Sequence, residues 1–316
     1  MSDSKEISGQ EAQQKVIEAL SKIGGSPTLF GEYVVDGEKI WSSPFITVSS
    51  LKFKKNSKLI FDESVTRANK NLFIFAEQIV SEDQEALGEI TWTDLEPTSP
   101  PIPGYGASGA SMGGVESATG GTGANGPTGF QGENGANAPS ITIIVKTIIG
   151  GLKVGLRGEN GGPGGAGGTG GSGGQGGYGT PASQTMFDCR RGAGNGGAGG
   201  QGGAGGSGGA GGRGGNGGTF TLVTDAESAA AFSRLLLVDL SPGQGGAPGQ
   251  GGAGGDGGYG GPGGTDARPY CWGAGNTGPT GPAGQPGGGG APGQVGSPGV
   301  YYFGGLSSDD IKKVIK

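Results

Sequence analysis

Apolar positions along this chain follow three patterns, one after another. Ala12, Val16, Ile17, Leu20 and Ile23 recur at helical spacing, with Gly24-Gly25 as a stop, so 1–24 reads as a helix. It packs on the next module, or it docks and oligomerises. From 26 to 95 apolar residues crowd into short segments, predicting strands near 33–35, 45–48, 51–54, 58–61, 72–79 and 89–92. Val48, Leu51 and Phe53, then Leu59 and Phe61, lie in stretches with the period-2 alternation of half-buried strands. Such strands suit a small sandwich or the first coils of a β-solenoid. Pro97, Pro101 and Pro103 then break regular structure, which places a boundary near 96–104.

The third pattern has period three. Runs 158–179, 192–218 and 243–264 read Gly-Gly-X, whereas 120–137 and 275–299 read Gly-X-Y. Glycine costs about 1 kcal/mol per residue in a helix, and a period of three matches no strand face. The conformation with that period is the polyproline II type, which would make each run roughly 65–85 Å long. Two-glycine runs suit inner members of a bundle and one-glycine runs suit its edges. The expected fold class is therefore mainly β/irregular: a bundle of polyglycine II helices in a glycine-rich sandwich, preceded by a small β-rich N-terminal module. A three-chain collagen helix and a disordered spacer are the rivals. The Gly-Gly-X phase, the matched lengths and the repeated corners argue against both.

The inserts between runs alternate in kind. One kind is apolar: 141–149 with 152–156, a strand pair turning at Gly150-Gly151; then 219–223, a helix over 226–235 with Asp225 as N-cap, and a strand over 236–240. A strand at 300–303 and a helix over 308–315 close the chain. These inserts are expected to stack at one end as a mixed α/β layer. The other kind carries an aromatic, a cysteine and Gly-Ala-Gly-Asn: Phe187 with Cys189, and Tyr270 with Cys271. Residues 141–218 and 219–299 are thus two copies of one unit. Equivalent cysteines in adjacent turns sit near each other, as a disulfide or as two neighbouring loop thiols. The expected organisation is 1–24 helix, 25–96 β-rich module, 97–122 linker, 123–299 sandwich and 300–316 terminal strand and helix.

Composition narrows the picture. The 316 residues include 81 glycines and 19 prolines, and only 31% are hydrophobic, too few for a large apolar core. The net charge of −6 without a basic cluster argues against nucleic acid as a partner. No run is long enough to span a bilayer, and no signal peptide is visible. The protein is expected to be extracellular or particle-associated by another export route, or cytoplasmic if not exported.

The runs 161–179 and 196–218 resemble the polyglycine II sandwich of T-even-type phage tail-fibre adhesins, and the repeats are similar to other collagen-like glycine-rich proteins and to snow-flea-type antifreeze proteins. The first resemblance implies a rigid sandwich whose tip loops contact a bacterial surface receptor. The mixed X positions do not form the uniform face that ice matching would need.

Candidate chemistry is sparse. There is no histidine, so Ser-His and Cys-His nucleophiles are excluded, and two cysteines alone make a closed zinc site improbable. Gly-x-Gly patterns arise here from composition. No catalytic residue, cofactor or metal is expected. The candidate binding residues are Phe187, Arg190, Arg191, Tyr270 and Trp272, types that dominate binding hot spots; the alternative is that they only cover a Cys189–Cys271 disulfide, with Tyr178 and Tyr259 as further lids. The expected function is non-catalytic, adhesin-like recognition of a cell-surface ligand. The alternative is a structural subunit of an extracellular filament or matrix, a homo-oligomer joined through the N-terminal module.

Overall fold

The computed structural model describes residues 4–25, 27–68, 70–83, 87–94, 97–102 and 104–314. Residues 1–3 of the expected first helix, 95–96 and Pro103 of the expected boundary, and Ile315 lie outside the described residues. In chain order the elements are β1 (Ser4–Glu6), α1 (Gly9–Ile23), β2 (Glu32–Val35), β3 (Glu38–Trp41), β4 (Phe45–Phe53), β5 (Lys58–Phe61), α2 (Glu63–Ala68), β6 (Asn71–Ser81) and β7 (Glu89–Trp92). They continue with β8 (Ser140–Ile149), β9 (Leu152–Gly155), β10 (Ser183–Gln184), β11 (Cys189–Arg191), β12 (Thr219–Asp225), α3 (Ala229–Arg234), β13 (Leu236–Asp239), β14 (Val300–Leu306) and α4 (Ser308–Val314).

The strands form two main sheets, and the pairing in both is parallel. One has seven strands in the order β1-β14-β12-β8-β6-β4-β2, the other five in the order β13-β9-β7-β5-β3. From β2 to β13 each pass of the chain gives one strand to each sheet, and the next pass stacks beside it, as in a solenoid. The inner faces meet in a core that includes Phe53, Phe61, Leu72, Ile90, Ile141, Val154 and Phe220. Sheets built this way are covered on both faces. Phe73, Phe75, Ile144 and Val223, on the outer face of the seven-stranded sheet, pack with Ala12, Val16 and Ala19 of α1 and with Ile311 and Val314 of α4. Ala19 takes the buried place expected for Ile17, which is exposed. Ser8 starts α1 with a capping box to Glu11, and Gly24 ends it at φ 81°.

This architecture corrects the expected fold class. Among the described residues the regular structure is two parallel β-sheets, a short antiparallel pair and four short helices, not a polyglycine II helix bundle, and the collagen-like description falls with it. The 25–96 strands and the apolar inserts share these sheets: β6 pairs β8 from Asn71↔Ser140 to Val80↔Ile149, and β7 pairs β9. Gly150-Gly151, both at positive φ, turns the chain from one sheet to the other instead of closing a hairpin. Asp225 does not cap α3; its carboxylate accepts from the Glu227 amide at 3.1 Å, and the helix begins later.

The glycine runs are extensions of these strands. Runs 120–137, 192–218 and 275–299 lead into β8, β12 and β14, while β9 and β13 lead out into 158–179 and 243–264. Neighbouring runs are joined by backbone hydrogen bonds at every third residue: Gly200 N donates to Gly174 O at 2.8 Å, and Gly199 N to Pro279 O at 2.9 Å. Part of the expected linker joins them, since Gly106, Gly109 and Met112 donate to Thr169, Ser172 and Gln175. The register is that of the sheets. Phe220 pairs Ile141, an offset of 220 − 141 = 79, and Tyr301 pairs Phe220, an offset of 301 − 220 = 81. The same separations recur where an asparagine side chain caps the backbone amide of a neighbouring run: Asn125 to Ala204 at 79, and Asn195 to Asn276 at 81.

Candidate recognition site at the tip loops

Because the runs continue the strands, their far ends lie away from the sheets. At the sheet end Gly218 N donates to Leu156 O; at the far end Gly194 N donates to Thr180 O, both at 2.8 Å. Two loops close that far end. The first turns through β10 and β11, an antiparallel pair in which Gln184 faces Cys189. The second spans 265–274 and closes on itself through the Ala267–Cys271 bridge, with bonds of 3.0 and 2.8 Å.

Three links clip the loops together. The Cys189–Cys271 disulfide spans 82 residues with its Cα atoms 4.8 Å apart, so of the two cysteine readings the covalent one holds. Gln184 is a two-ended clamp: its amide nitrogen donates to the Arg268 carbonyl, and its amide oxygen accepts from Tyr270 N at 3.0 Å. Ala182 N donates to Thr265 O at 2.9 Å. Nothing in the local pattern marks Gln184, because its partners lie 84 and 86 residues away.

The five candidate residues are carried by these loops. Phe187 stands in the turn between β10 and β11, whose form is set by Thr185: its hydroxyl accepts from Phe187 N at 3.3 Å and Asp188 N at 3.0 Å. Arg190 and Arg191 follow on β11, one and two residues past Cys189, and are exposed. Tyr270 and Trp272 flank Cys271, which is itself buried. Phe187 is 81% exposed, Trp272 68% and Tyr270 42%. Tyr178 and Tyr259 are likewise exposed. Two further residues belong to the cluster and were not singled out by the sequence: Met186, 81% exposed, and Arg268, whose guanidinium lies 4.5 Å from the centre of the Trp272 ring. Arg268 is oriented by Asp266 at 3.0 Å, so the cation and the ring hold each other in place.

Among the described residues, no group of three or more His, Cys, Asp or Glu side chains is gathered to hold a metal. No helix among them is long and apolar enough to cross a membrane.

No family model matches the chain, and no curated protein matches it. Among solved structures, a springtail antifreeze protein from Granisotoma rainieri, described as a nine polyproline type II helical bundle, matches at 29% identity. The match covers 58% of this chain and 94% of that chain, with a TM-score of 0.09. A superposition that poor carries no shared architecture. The resemblance to glycine-rich sandwich proteins, phage tail-fibre adhesins and collagen-like repeat proteins is corrected accordingly, since parallel sheets dominate the regular structure.

Proposed function

We propose that this chain is a non-catalytic recognition protein that binds a cell-surface ligand through the loops at the far end of its glycine runs, outside the cell or on a particle. The observation that carries this reading is the exposed set of Phe187, Arg190, Arg191, Tyr270 and Trp272 on loops fixed by a disulfide and the Gln184 clamp. Exposed aromatics cost solvation unless a partner covers them, and a rigid frame lowers the ordering cost of binding. The paired change Arg190→Ala and Trp272→Ala is expected to lower binding to target cells at least about tenfold, with unchanged circular dichroism and melting temperature. Undiminished binding by that variant would remove the tip from the account.

A second reading has its own observation. Phe30, Val34, Ile40 and Phe45 are exposed around β2 and β3, the strands that end the two sheets. Open, apolar sheet edges favour assembly. On this reading the protein is a filament or matrix subunit: the tip changes are silent, and charges placed at Ile40 and Val34 stop polymerisation.

A further inference from the structure

We propose that the tip takes an acidic saccharide: sugar rings lie on Tyr270, Phe187 and the face of Trp272 opposite Arg268, while their carboxylate or sulfate groups meet Arg190 and Arg191. This rests on the reading of the tip as the recognition surface and names the chemistry of its ligand.

Charge points to the sign of the ligand. Within the loops 180–195 and 262–276 the ionisable residues are Arg190, Arg191, Arg268, Asp188 and Asp266, a net of 3 − 2 = +1. The remainder of the chain then carries −6 − 1 = −7. The two loops are net positive on a negative molecule, while the exposed Glu116 sits on the neighbouring turn whose Ser117 bonds Tyr178 and Asn195. Both acids are engaged inside the loops, Asp188 by the Cys189 amide at 2.8 Å and Asp266 by Arg268. Arg190 and Arg191 make no ion pair among the described residues. Their forked guanidinium groups suit a two-oxygen anion.

The aromatic surface points to the kind of molecule. Flat rings held open to solvent suit the apolar faces of pyranose rings, and their Tyr and Trp polar edges suit the hydroxyls around them. An acidic peptide offers the charge without the ring faces. A nucleic acid offers rings, but its charge density calls for a broad basic surface, and −7 on the rest of the chain opposes it. A uronic-acid or sulfated glycan, with a ring and one or two charges per unit, matches two guanidinium groups without an ion pair, of which Arg191 also donates to the Pro181 carbonyl at 3.4 Å, and exposed rings of which Trp272 keeps the face opposite Arg268.

The test measures binding of the full-length, disulfide-intact protein to four probes by biolayer interferometry: polygalacturonate, neutral dextran, poly-glutamate and single-stranded DNA, at low and high salt. Polygalacturonate is expected to bind at least about tenfold more tightly than the other three. Trp272→Ala is expected to weaken it about tenfold at both salt concentrations. The double change R190A/R191A is expected to weaken it and flatten its salt dependence, whereas R190K/R191K restores the salt dependence with only part of the affinity. No binding to polygalacturonate, equal binding to dextran, or equal binding to poly-glutamate or DNA would overturn the proposal. The two readings fail separately: tip variants that no longer bind cells while the wild type ignores every probe would keep the recognition site and discard the acidic sugar.

Discussion

At the scale of single residues, the glycines of the inner runs are held by contact with backbone. A Cβ on Gly199 would lie 1.8 Å from the Gly258 carbonyl oxygen, and one on Gly200 would lie 2.0 Å from that of Gly121. Run 192–218 therefore lies against four others: its glycines face the backbones of 120–137 and 243–264 and donate to 158–179 and 275–299. Run 275–299 needs glycine on one face, as at Gly281, 2.0 Å from Gly200 O, while a Cβ on Gly288 would meet nothing within 4 Å. Gly199→Ala is expected to lower stability in urea unfolding by about 2–3 kcal/mol through overpacking against rigid backbone. Gly288→Ala is expected to be neutral within about 0.5 kcal/mol. Equal effects would mean that the runs do not touch as described. The distinction between two-glycine and one-glycine runs was legible, because it is written as a period. The asparagine caps were not: Asn134 accepts from Arg213 N at 2.8 Å, and Asn216 from Ser297 N at 2.8 Å, across separations no local pattern signals.

At the scale of elements, most strands were legible and their neighbours were not. The alternation of β5, the run of β8 and the short β12 each announce a strand. Parallel partners lie far off in sequence, so period-2 alternation cannot say that β6 pairs with β8 across the intervening glycine-containing stretch. Four strands escaped because they lack the signal: β1 reads Ser-Lys-Glu, β3 has a single aliphatic residue, Ile40, and points it outward, and β10 and β11 are two and three residues long without apolar alternation. The helices α1 and α4 cover one sheet face, and each start depends on an ionised carboxylate. The Ser8 backbone amide, then its hydroxyl, holds Glu11 below its ordinary value, with burial opposing weakly. The Ser307 hydroxyl, then Lys313, does the same for Asp310. Depressed carboxylate values stabilise the folded state above the unfolded value and lose that effect as pH falls through the folded one. Backbone chemical shifts of α1 and α4 are thus expected to move toward coil below about pH 4, before those of β6. Ser8→Ala should remove the pH response of α1. Helix shifts constant down to pH 2.5 would contradict this account of the caps.

At the scale of the whole molecule, the two sheets and the glycine runs share one register, and the disulfide closes the end farthest from the core. The two cysteine-bearing corners were legible as repeats, which places Cys189 and Cys271 near each other. The Gln184 clamp and the Arg268–Trp272 contact were not, since they depend on how two loops meet. Replacing both cysteines with serine is expected to cost about 2–4 kcal/mol by freeing the unfolded chain. The sheets should remain, and tip binding should weaken. An unchanged urea midpoint would show that the runs alone fix the loops.

The measurement that tests the continuity of sheets and runs most directly is residue-resolved amide hydrogen exchange. In run 192–218, Gly199, Gly200, Gly202 and Gly203 donate to neighbouring runs, Gln201 donates to no backbone group among the described residues, and Ala204 is capped by Asn125. Protection is therefore predicted at two residues in three, with Gln201 fast and Ala204 slower than it. In run 275–299 it is predicted at one residue in three, Gly284, Gly287 and Gly290, with Gly288 and Gly289 fast. Uniformly fast exchange through the runs, alongside protected amides in β6 and β8, would mean that the runs are not laid against one another, and the rigid presentation of the tip would go with them.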